Sequence, residues 1–324
     1  NKMKKILLVL LLSVSSVFAE YSIVFVHVGN RIPKYSQFSI TQARLFNPNA
    51  KIIFLCSKEA AKPLKAFKEE VGLEICYYED IALTPIHAEY QKQCSETSQF
   101  WRFTSERFLY LWDLISERSL ENVFHLENDN MLYVDLEQRL PVFQKKYPGV
   151  GATFDNEDRC IPGFVWISNK EAMEPLAKHF VDHASKRTFD MFTIGSYRKL
   201  CSNKCIERLP IIMPDYNSEI GLKSTSGHTT ETPEEYSKYC EEFKAIFDAA
   251  AIGQFLGGID PIHAKNQPGF INESCLFNPS FLDYNWIEDE QKRLVPYVEF
   301  NGKSYQIVNL HIHSKRLNEF KSFN

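Results

Sequence analysis

The stretch NVFHLENDNMLYVDL, residues 122–136, places two carboxylates between two apolar runs. Residues 122–124 read as the end of a buried strand, and His125, Glu127 and Asp129 follow it. Residues two apart on an extended backbone point to the same side. Ligands of parallel sheets gather at the carboxyl ends of the strands. The pattern favours a site for a hard divalent cation, Mn²⁺ or Mg²⁺. The alternative is an ordinary strand end with two solvated acids.

The neighbouring segments predict an α/β fold with a mainly parallel sheet. β-Branched and aromatic runs alternate with helical stretches, which is typical of βαβ units. The predicted strands are 21–28, 51–56, 73–78, 122–124, 149–153, 163–168 and 305–311. Residues 190–232 mix Cys, Pro, Ser, Thr and Gly and are predicted to be loops with short elements, and Thr232–Glu235 predicts the start of a further helix.

Residues 99–118 predict the clearest helix of the chain. On a period of 3.6 residues, one face carries the apolar side chains Phe100, Phe103, Leu111, Leu114 and Ile115. Arg107 falls in the middle of that face, whereas Arg102, Glu106 and Asp113 fall opposite. A buried arginine needs an anionic partner, and Glu127, Asp129 or a bound diphosphate would each serve. The alternative is an arginine that reaches solvent at the edge of the helix.

Composition sets limits on the possible partners. The chain has 324 residues, 44% of them hydrophobic, and a formal net charge of −4. It has no basic tract, so we expect no nucleic-acid partner. No internal repeat or clean linker divides the sequence. We therefore predict one domain over residues 20–324.

The amino-terminal segment, residues 1–19, predicts a signal peptide. Lys4 and Lys5 precede an apolar stretch that ends in small residues around Ala19, the predicted cleavage site. The stretch is shorter than the ~20 residues of a spanning helix, so no stable membrane span is expected after cleavage. The expected location is a secretory lumen, the periplasm or the exterior. The eight cysteines suit export and allow up to four disulfides, with a zinc site as the weaker alternative.

Five motifs in this order resemble the GT-A glycosyltransferases, most closely family 8. They are Arg107, FHLENDNMLYVDL (124–136), RCIPGFVWISN (159–169), FDAAAI (247–252) and NLHIHSK (309–315). The resemblance spans roughly residues 20–315 and implies a GT-A fold, Mn²⁺ (or Mg²⁺) and a nucleotide-diphosphate sugar as donor. FHLENDNMLYVDL resembles the family's D-x-D strand with Glu127 in place of the first Asp, and Ala249 and Ala250 replace family residues that follow Asp248.

The resemblance also implies roles for individual residues. The implied metal ligands are Glu127, Asp129 and a histidine, His311 or His313. Donor contacts are implied for Arg107 and Lys315, and donor-sugar contacts for Gly163 and Asp248. Asp155 and Asn156 are further candidate sugar partners, although a solvated acidic loop explains them equally well. We also predict cofactor contacts at His27, Gly29 and Asn30, where the first strand ends.

The function that follows is transfer of a sugar from a UDP-sugar to a glycan, protein or lipid acceptor, with retention of the anomeric configuration. An inverting enzyme would instead need a general base near the acceptor, for which Asp248 or Glu273 would serve. Two alternatives stay open at this point: a secreted protein that binds sugars or nucleotides without turnover, and a metal-dependent phosphoester hydrolase.

Overall fold

A computed structural model describes residues 20–95, 98–186, 188–201, 205–260 and 267–323. The predicted signal peptide, residues 1–19, lies outside the described residues. Within the described part of the chain, no helix has the length and apolar character needed to cross a membrane.

The central sheet of the described residues has seven strands in the order β3-β2-β1-β4-β7-β6-β8. These strands are β1 Ser22–Val26, β2 Lys51–Cys56, β3 Leu73–Tyr77, β4 Val123–Leu126, β6 Val150–Phe154, β7 Cys160–Ile167 and β8 Ile206–Arg208. β7 runs antiparallel to β4 and β6, and the other pairs are parallel. The continuous apolar runs of β1 and β2 are buried, as parallel strands covered on both faces require. The predicted α/β class with a mainly parallel sheet is confirmed.

Helices flank this sheet on both faces. They are α1 Ser36–Phe46, α2 Lys62–Lys65, α3 Lys68–Val71, α4 Pro85–Gln93, α5 Gln99–Arg118, α6 Leu136–Lys146, α7 Lys170–His183, α8 Asp190–Leu200, α9 Pro214–Glu219, α10 Cys240–Phe243 and α11 Ala251–Gly257. α5 covers the predicted residues 99–118. The prediction of loops over residues 190–232 was wrong at its start, because α8 forms there and packs on β7. The predicted helix start at Thr232 leads only to a short 3₁₀ turn, Pro233–Tyr236.

Two smaller sheets complete the described fold. One contains β9 Ala245–Ile246, β10 Asp283–Glu288, β11 Leu294–Phe300 and β12 Lys303–Ile307. The other pairs β5 Asn130–Leu132 with β13 Asn309–His311 in antiparallel register. The single strand predicted over residues 305–311 is thus divided between two sheets. Its second part, β13, is the part that reaches the carboxyl end of β4.

A buried histidine network (His87, Glu106 and Asp113) joins α4 to α5. His87 Nδ1 lies 2.5 Å from Asp113 Oδ2, and His87 Nε2 lies 3.5 Å from Glu106 Oε1. Burial by itself would lower the pKa of His87, but the two carboxylates raise it above its ordinary value. Glu106 and Asp113 occupy the face of α5 opposite the apolar one, and α4 covers it. Phe100, predicted on the apolar face, is instead 65% exposed because it precedes the packed part of α5.

Among the eight cysteines, Cys201 and Cys205 form a disulfide that closes the turn after α8. The other six have free thiols, and five of those are buried. The structure therefore contains one disulfide of the four that the cysteine count allowed.

Candidate metal centre

The opening motif forms a turn between two strands. β4 ends at Leu126, β5 begins at Asn130, and the Asn130 amide donates to the Glu127 carbonyl at 3.1 Å. The Glu127 amide in turn donates to the Gly163 carbonyl on the neighbouring β7 at 3.0 Å. The two-residue spacing of Glu127 and Asp129 had suggested an extended backbone, but the segment forms a turn instead. The turn nevertheless brings the side chains of Glu127 and Asp129 to one place at the carboxyl end of β4.

Strand β13 adds a histidine to the two carboxylates. Its register places His311 opposite Asn130, and the Ile312 amide donates to the Asp129 carbonyl at 2.9 Å. His311 Nε2 lies 3.0 Å from Glu127 Oε2 and 3.2 Å from Asp129 Oδ1. One ligand atom from each of the three residues lies within 4.8 Å of the others. We call these three residues the metal triad.

Arg107 joins the metal triad to a third carboxylate. From the inner face of α5 it forms an ion pair with Glu127, and its Nη2 donates to Asp190 Oδ2 at 2.6 Å. The Arg107 side chain is 11% exposed, so its charge requires these partners. Arg107 therefore does not reach solvent as a surface arginine would. Its guanidinium fork holds Glu127 and Asp190 together.

Lys315 lies on the other side of the metal triad and forms an ion pair with Asp129. Its backbone is left-handed, with φ of 63°, in the turn that follows β13. A left-handed non-glycine residue costs free energy and persists only where surrounding contacts hold it. Here the turn brings the Lys315 amine to the carboxylate.

Gly163 on β7 leaves room for the histidine ring. A Cβ at this position would lie 2.7 Å from His311 Nδ1 and 2.8 Å from Asn130 Nδ2. Both nitrogens are buried and have no hydrogen-bond partner among the described residues. The metal triad therefore rests on a tightly packed floor that contains two polar atoms without partners.

Asp248 holds the backbone of β13 in place. Its carboxylate accepts hydrogen bonds from the backbone amides of Ile252, Gly253 and His311, each at 2.9 Å. Asp248 is fully buried, and burial raises the pKa of its carboxyl. It both caps the start of α11 and anchors β13. The burial of the Asp248 carboxylate is thus explained by its hydrogen bonds to α11 and to the His311 amide. Its contact with a donor sugar stays a prediction.

Opposite charges govern protonation in the metal triad. Burial would raise the pKa of Glu127 and Asp129, but Arg107, Lys315 and His311 hold both values well below the usual range. Burial would lower the pKa of His311, but the two carboxylates raise it to about 10. His313 differs: its pKa falls to about 4 because of burial and the nearby charges of His311 and Lys315. The triad therefore contains two carboxylates and a protonated imidazole at neutral pH.

The other predicted site residues lie at varying distances from this centre. His27 Nδ1 is 3.3 Å from Asn128 Nδ2, and a Cβ on Gly29 would touch the His27 ring, so both lie beside the acidic turn. Asn30 is exposed. The His313 ring centroid is 5.0 Å from that of His311, but His313 is outside the metal triad.

The predicted sugar and acceptor residues lie farther along the sheet edge. Asp155 is buried in an ion pair with Arg159, and Asn156 donates to the Ser274 carbonyl at 3.1 Å. Glu273 is exposed, and its backbone carbonyl accepts from Ser226. None of the three has a recorded hydrogen bond or ion pair to the metal triad.

Sequence reasoning missed Asp190. It lies in the segment that was predicted to be loop, so no strand end or helix face pointed to it. The sequence offers no local signal for it, because the run DMFTIGSYRKL that forms α8 has no clear helical period. Burial raises the pKa of Asp190, although Arg107 opposes this effect.

The donor set of the metal triad fits a divalent cation. Two carboxylates and one imidazole are ligands that Mn²⁺ and Mg²⁺ sites use, with an imidazole favouring Mn²⁺ over Mg²⁺. His311 Nε2 is the ring nitrogen that faces the carboxylates, whereas Nδ1 is buried and has no hydrogen-bond partner among the described residues. Within the described residues, no second group of this kind is present.

Comparisons with known proteins return structural similarities. No protein-family model matches the sequence, and no curated protein matches it significantly. Similar solved structures include mouse xyloside xylosyltransferase 1, with 10% identity, a TM-score of 0.44, and coverage of 62% of this chain and 90% of that chain. Another is the galactosyltransferase LgtC in complex with donor and acceptor sugar analogues, with 13% identity, a TM-score of 0.41 and coverage of 67% and 83%.

A third is core-mannan synthase A from Aspergillus fumigatus in its Mn/GDP form, with 9% identity, a TM-score of 0.38 and coverage of 60% and 74%. These structural neighbours are GT-A type glycosyltransferases. The similarity concerns the architecture and is low in every case, so the functional reasoning below depends on the residues of the site.

Proposed function

We propose that this protein is a metal-dependent glycosyltransferase that moves a sugar from a UDP-sugar to a glycan, protein or lipid acceptor. The observation that carries the proposal is the convergence of the metal triad with two flanking cations, Arg107 and Lys315. Two carboxylates and one imidazole, flanked by two positive side chains, suit a cation that also binds a diphosphate. The resemblance to family 8, with Glu127 in an E-x-D variant of its motif, supports the same reading.

Glu127, Asp129 and His311 would hold the cation, with His313 as the alternative histidine. When bound, the cation neutralises charge that develops on the diphosphate as the sugar–oxygen bond breaks. Arg107 and Lys315 would add stabilisation of the leaving nucleoside diphosphate, since positive groups aimed at developing charge act strongly in a partly buried site. His27 and Gly29 would contact the nucleotide beside the acidic turn.

Asp190 and Asp248 would act as positioning residues. Asp190 fixes the guanidinium of Arg107, and Asp248 fixes the backbone of His311. Retention of the anomeric configuration follows from the family resemblance. Its test is the anomer formed, read by proton NMR before the product equilibrates.

A panel of nucleotide sugars with and without Mn²⁺ tests the proposal. We expect wild type to release UDP from one donor only when the metal is present. Asp129→Asn should lower that rate at least ~100-fold, because it removes a charged ligand with little change of shape. Glu171→Gln, on the exposed surface of α7, is the control for handling of the protein. Release of UDP that survives Asp129→Asn would overturn the assignment of the metal triad.

A second candidate function is binding of a nucleotide sugar without turnover. It is favoured by the existing ion pairs, because Arg107 and Lys315 already satisfy Glu127 and Asp129 without a metal. Saturable binding of UDP-sugar to wild type with no release of UDP would support this candidate. A two-metal phosphoester hydrolase is disfavoured, since the described residues contain one metal-binding group.

A further inference from the structure

A cavity of about 520 Å³ lies one helix away from the candidate metal centre. Its volume is in the usual range of small-molecule sites, ~300–1,000 Å³. Asp190 begins α8 and contacts Arg107, whereas the cavity is lined by residues on the opposite side of α8. The principal lining residues are Asn156, Arg159, Lys186, Phe192, Ser196 and Lys199.

Buried contacts hold the walls of the cavity in place. A Cβ on Gly195 would run into the Asp158 carbonyl, so α8 packs directly against the loop that carries Arg159. Arg159 is fixed from behind by Asp155. On the helix side, Ser196 Oγ lies 2.9 Å from His179 Nε2. The cavity is therefore a preformed feature bounded by α8 and the 155–159 loop.

The charge of the lining is opposite to that of the chain. The chain has a net charge of −4, yet the lining contains three permanent cations, Arg159, Lys186 and Lys199, and one carboxylate, Asp158. Asp158 forms an ion pair with Lys199. Lys186 has no carboxylate partner among the described residues. The imidazoles of His183 and His228 add further donors to the lining. Because Asp155 pairs with Arg159 and Asp158 pairs with Lys199, Lys186 supplies the remaining positive charge of the lining, which favours an anionic ligand.

An aromatic ridge extends the cavity. Phe192 lines the cavity and is 41% exposed, and its ring centroid is 5.1 Å from that of Phe189. Phe189 stacks on Trp101 at 4.3 Å, and Trp101 contacts the exposed Phe100 at 4.8 Å. Flat apolar rings beside hydroxyl and amide groups suit a pyranose, which has apolar C–H faces and a polar rim.

We propose that this cavity binds a saccharide that carries a carboxylate or a phosphate group. Lys186 and Arg159 hold the anionic group, and Phe192 stacks on the sugar ring. The role of this saccharide as the acceptor of the transfer reaction rests on the function proposed above. The binding itself does not, because none of the lining residues belongs to the metal triad.

Calorimetry tests the proposal with four probes: glucuronate, glucose 6-phosphate, glucose and inorganic phosphate. The titrations contain EDTA and no nucleotide, so they are independent of metal binding and turnover. We expect at least one of the two anionic sugars to bind at least ~10-fold more tightly than both glucose and phosphate. The anionic sugar that binds better identifies whether the site prefers a carboxylate or a phosphate.

Two variants and a matched control complete the test. Lys186→Glu should lower the affinity for the anionic sugar at least ~10-fold, because it reverses a charge in the lining. Phe192→Ala should lower the affinity for the anionic sugar but leave the affinity for inorganic phosphate unchanged. Lys178→Glu, on the exposed surface of α7 outside the lining, should bind as wild type does. Circular dichroism of all three checks that they are folded.

Several results would overturn the proposal. The first is that neither anionic sugar binds. The second is that glucose or inorganic phosphate binds as tightly as the anionic sugars. The third is that Lys186→Glu and Lys178→Glu lose the same amount of affinity for the anionic sugar. Wild type that binds an anionic sugar but never releases UDP would keep the saccharide site and remove only its role as acceptor site. The two proposals thus fail in distinguishable ways.

Discussion

Substitution of Gly163 by alanine tests the floor of the metal triad. The new Cβ would lie 2.7 Å from His311 Nδ1, so one of the two must move by about 0.7 Å to reach ordinary van der Waals contact. Gly163 is in β7, which is paired with β4, and cannot easily retreat. His311 is held by the hydrogen bond from its amide to Asp248. The imidazole ring is therefore the group that moves.

Movement of the ring displaces Nε2 from its positions 3.0 and 3.2 Å from the carboxylate oxygens. We expect Gly163→Ala to lower Mn²⁺ affinity about 10- to 100-fold, because supporting contacts orient metal ligands. Overpacking of a tight site should also cost about 1–3 kcal/mol of the free energy of unfolding. Calorimetric titration with Mn²⁺ measures the first effect, and urea unfolding in EDTA measures the second.

Gly149→Ala is the matched control. Its Cβ would lie 3.2 Å from the Cys205 carbonyl, away from the metal triad, so we expect wild-type Mn²⁺ affinity and a smaller loss of stability. A folded Gly163→Ala protein that binds Mn²⁺ as tightly as wild type would refute the reasoning. It would mean that His311 is not a ligand or that its ring is free to adapt.

Three further predictions concern charged groups. Arg107→Ala should reduce the free energy of unfolding by about 3–5 kcal/mol, because it leaves Glu127 and Asp190 buried without their shared cation. Adding Asp190→Asn should recover part of this loss in urea unfolding, and strictly additive losses would contradict the coupling. Binding of Mn²⁺ at pH 7.5 should release about one proton, since the pKa of His311 is about 10 and a ligating imidazole must be neutral. Calorimetry in two buffers of different ionisation enthalpy measures that proton, and zero release would exclude His311 as ligand. The buried histidine network raises the pKa of His87 above its unfolded value of about 6.5, so its stabilisation is complete below that pH and declines as the pH rises through the folded pKa. The free energy of unfolding, measured with urea from pH 6 to 9, should decline more steeply for wild type than for His87→Gln. Parallel pH dependences of the two proteins would refute this.

Local sequence patterns predicted the elements that have an uninterrupted apolar run or a clear helical period. The strand Lys51–Cys56 and the helix Gln99–Arg118 agree with the structure in both bounds. Each has an uninterrupted apolar run or a clear helical period, so burial and local preference favour the same structure. The motif at Glu127 and Asp129 was recognisable for a similar reason, because polar residues directly after a buried strand stand out.

Segments with mixed composition were harder to predict from the sequence. α8 carries an exposed Phe192, a glycine at 195 and a buried Arg198, so its helical period is not visible in the sequence. It forms because α8 packs against β7 and against the loop that carries Asp158. Contacts of this kind override local preference. Asp190 was missed for this reason, since its partner Arg107 is 83 residues away in the chain.

The face of α5 opposite the apolar stripe illustrates the same limit. A polar residue on a helix is expected to face solvent, but α4 covers Glu106 and Asp113 and supplies His87 as their partner. Whether a charged residue is exposed depends on what packs over it. That information lies in another element of the chain.

The sequence by itself determined the α/β class, the main strands and helices, and the acidic segment after β4, because each depends on neighbours within a few residues. Only the tertiary structure decided which distant groups join that turn. Antiparallel pairing of β13 with β5 selected His311 for the triad, and packing of α5 and α8 brought Arg107 between Glu127 and Asp190. The contact between Arg107 and Asp190 spans 83 residues of the chain, and the contact between Asn130 and Asn309 spans 179. No local pattern encodes them.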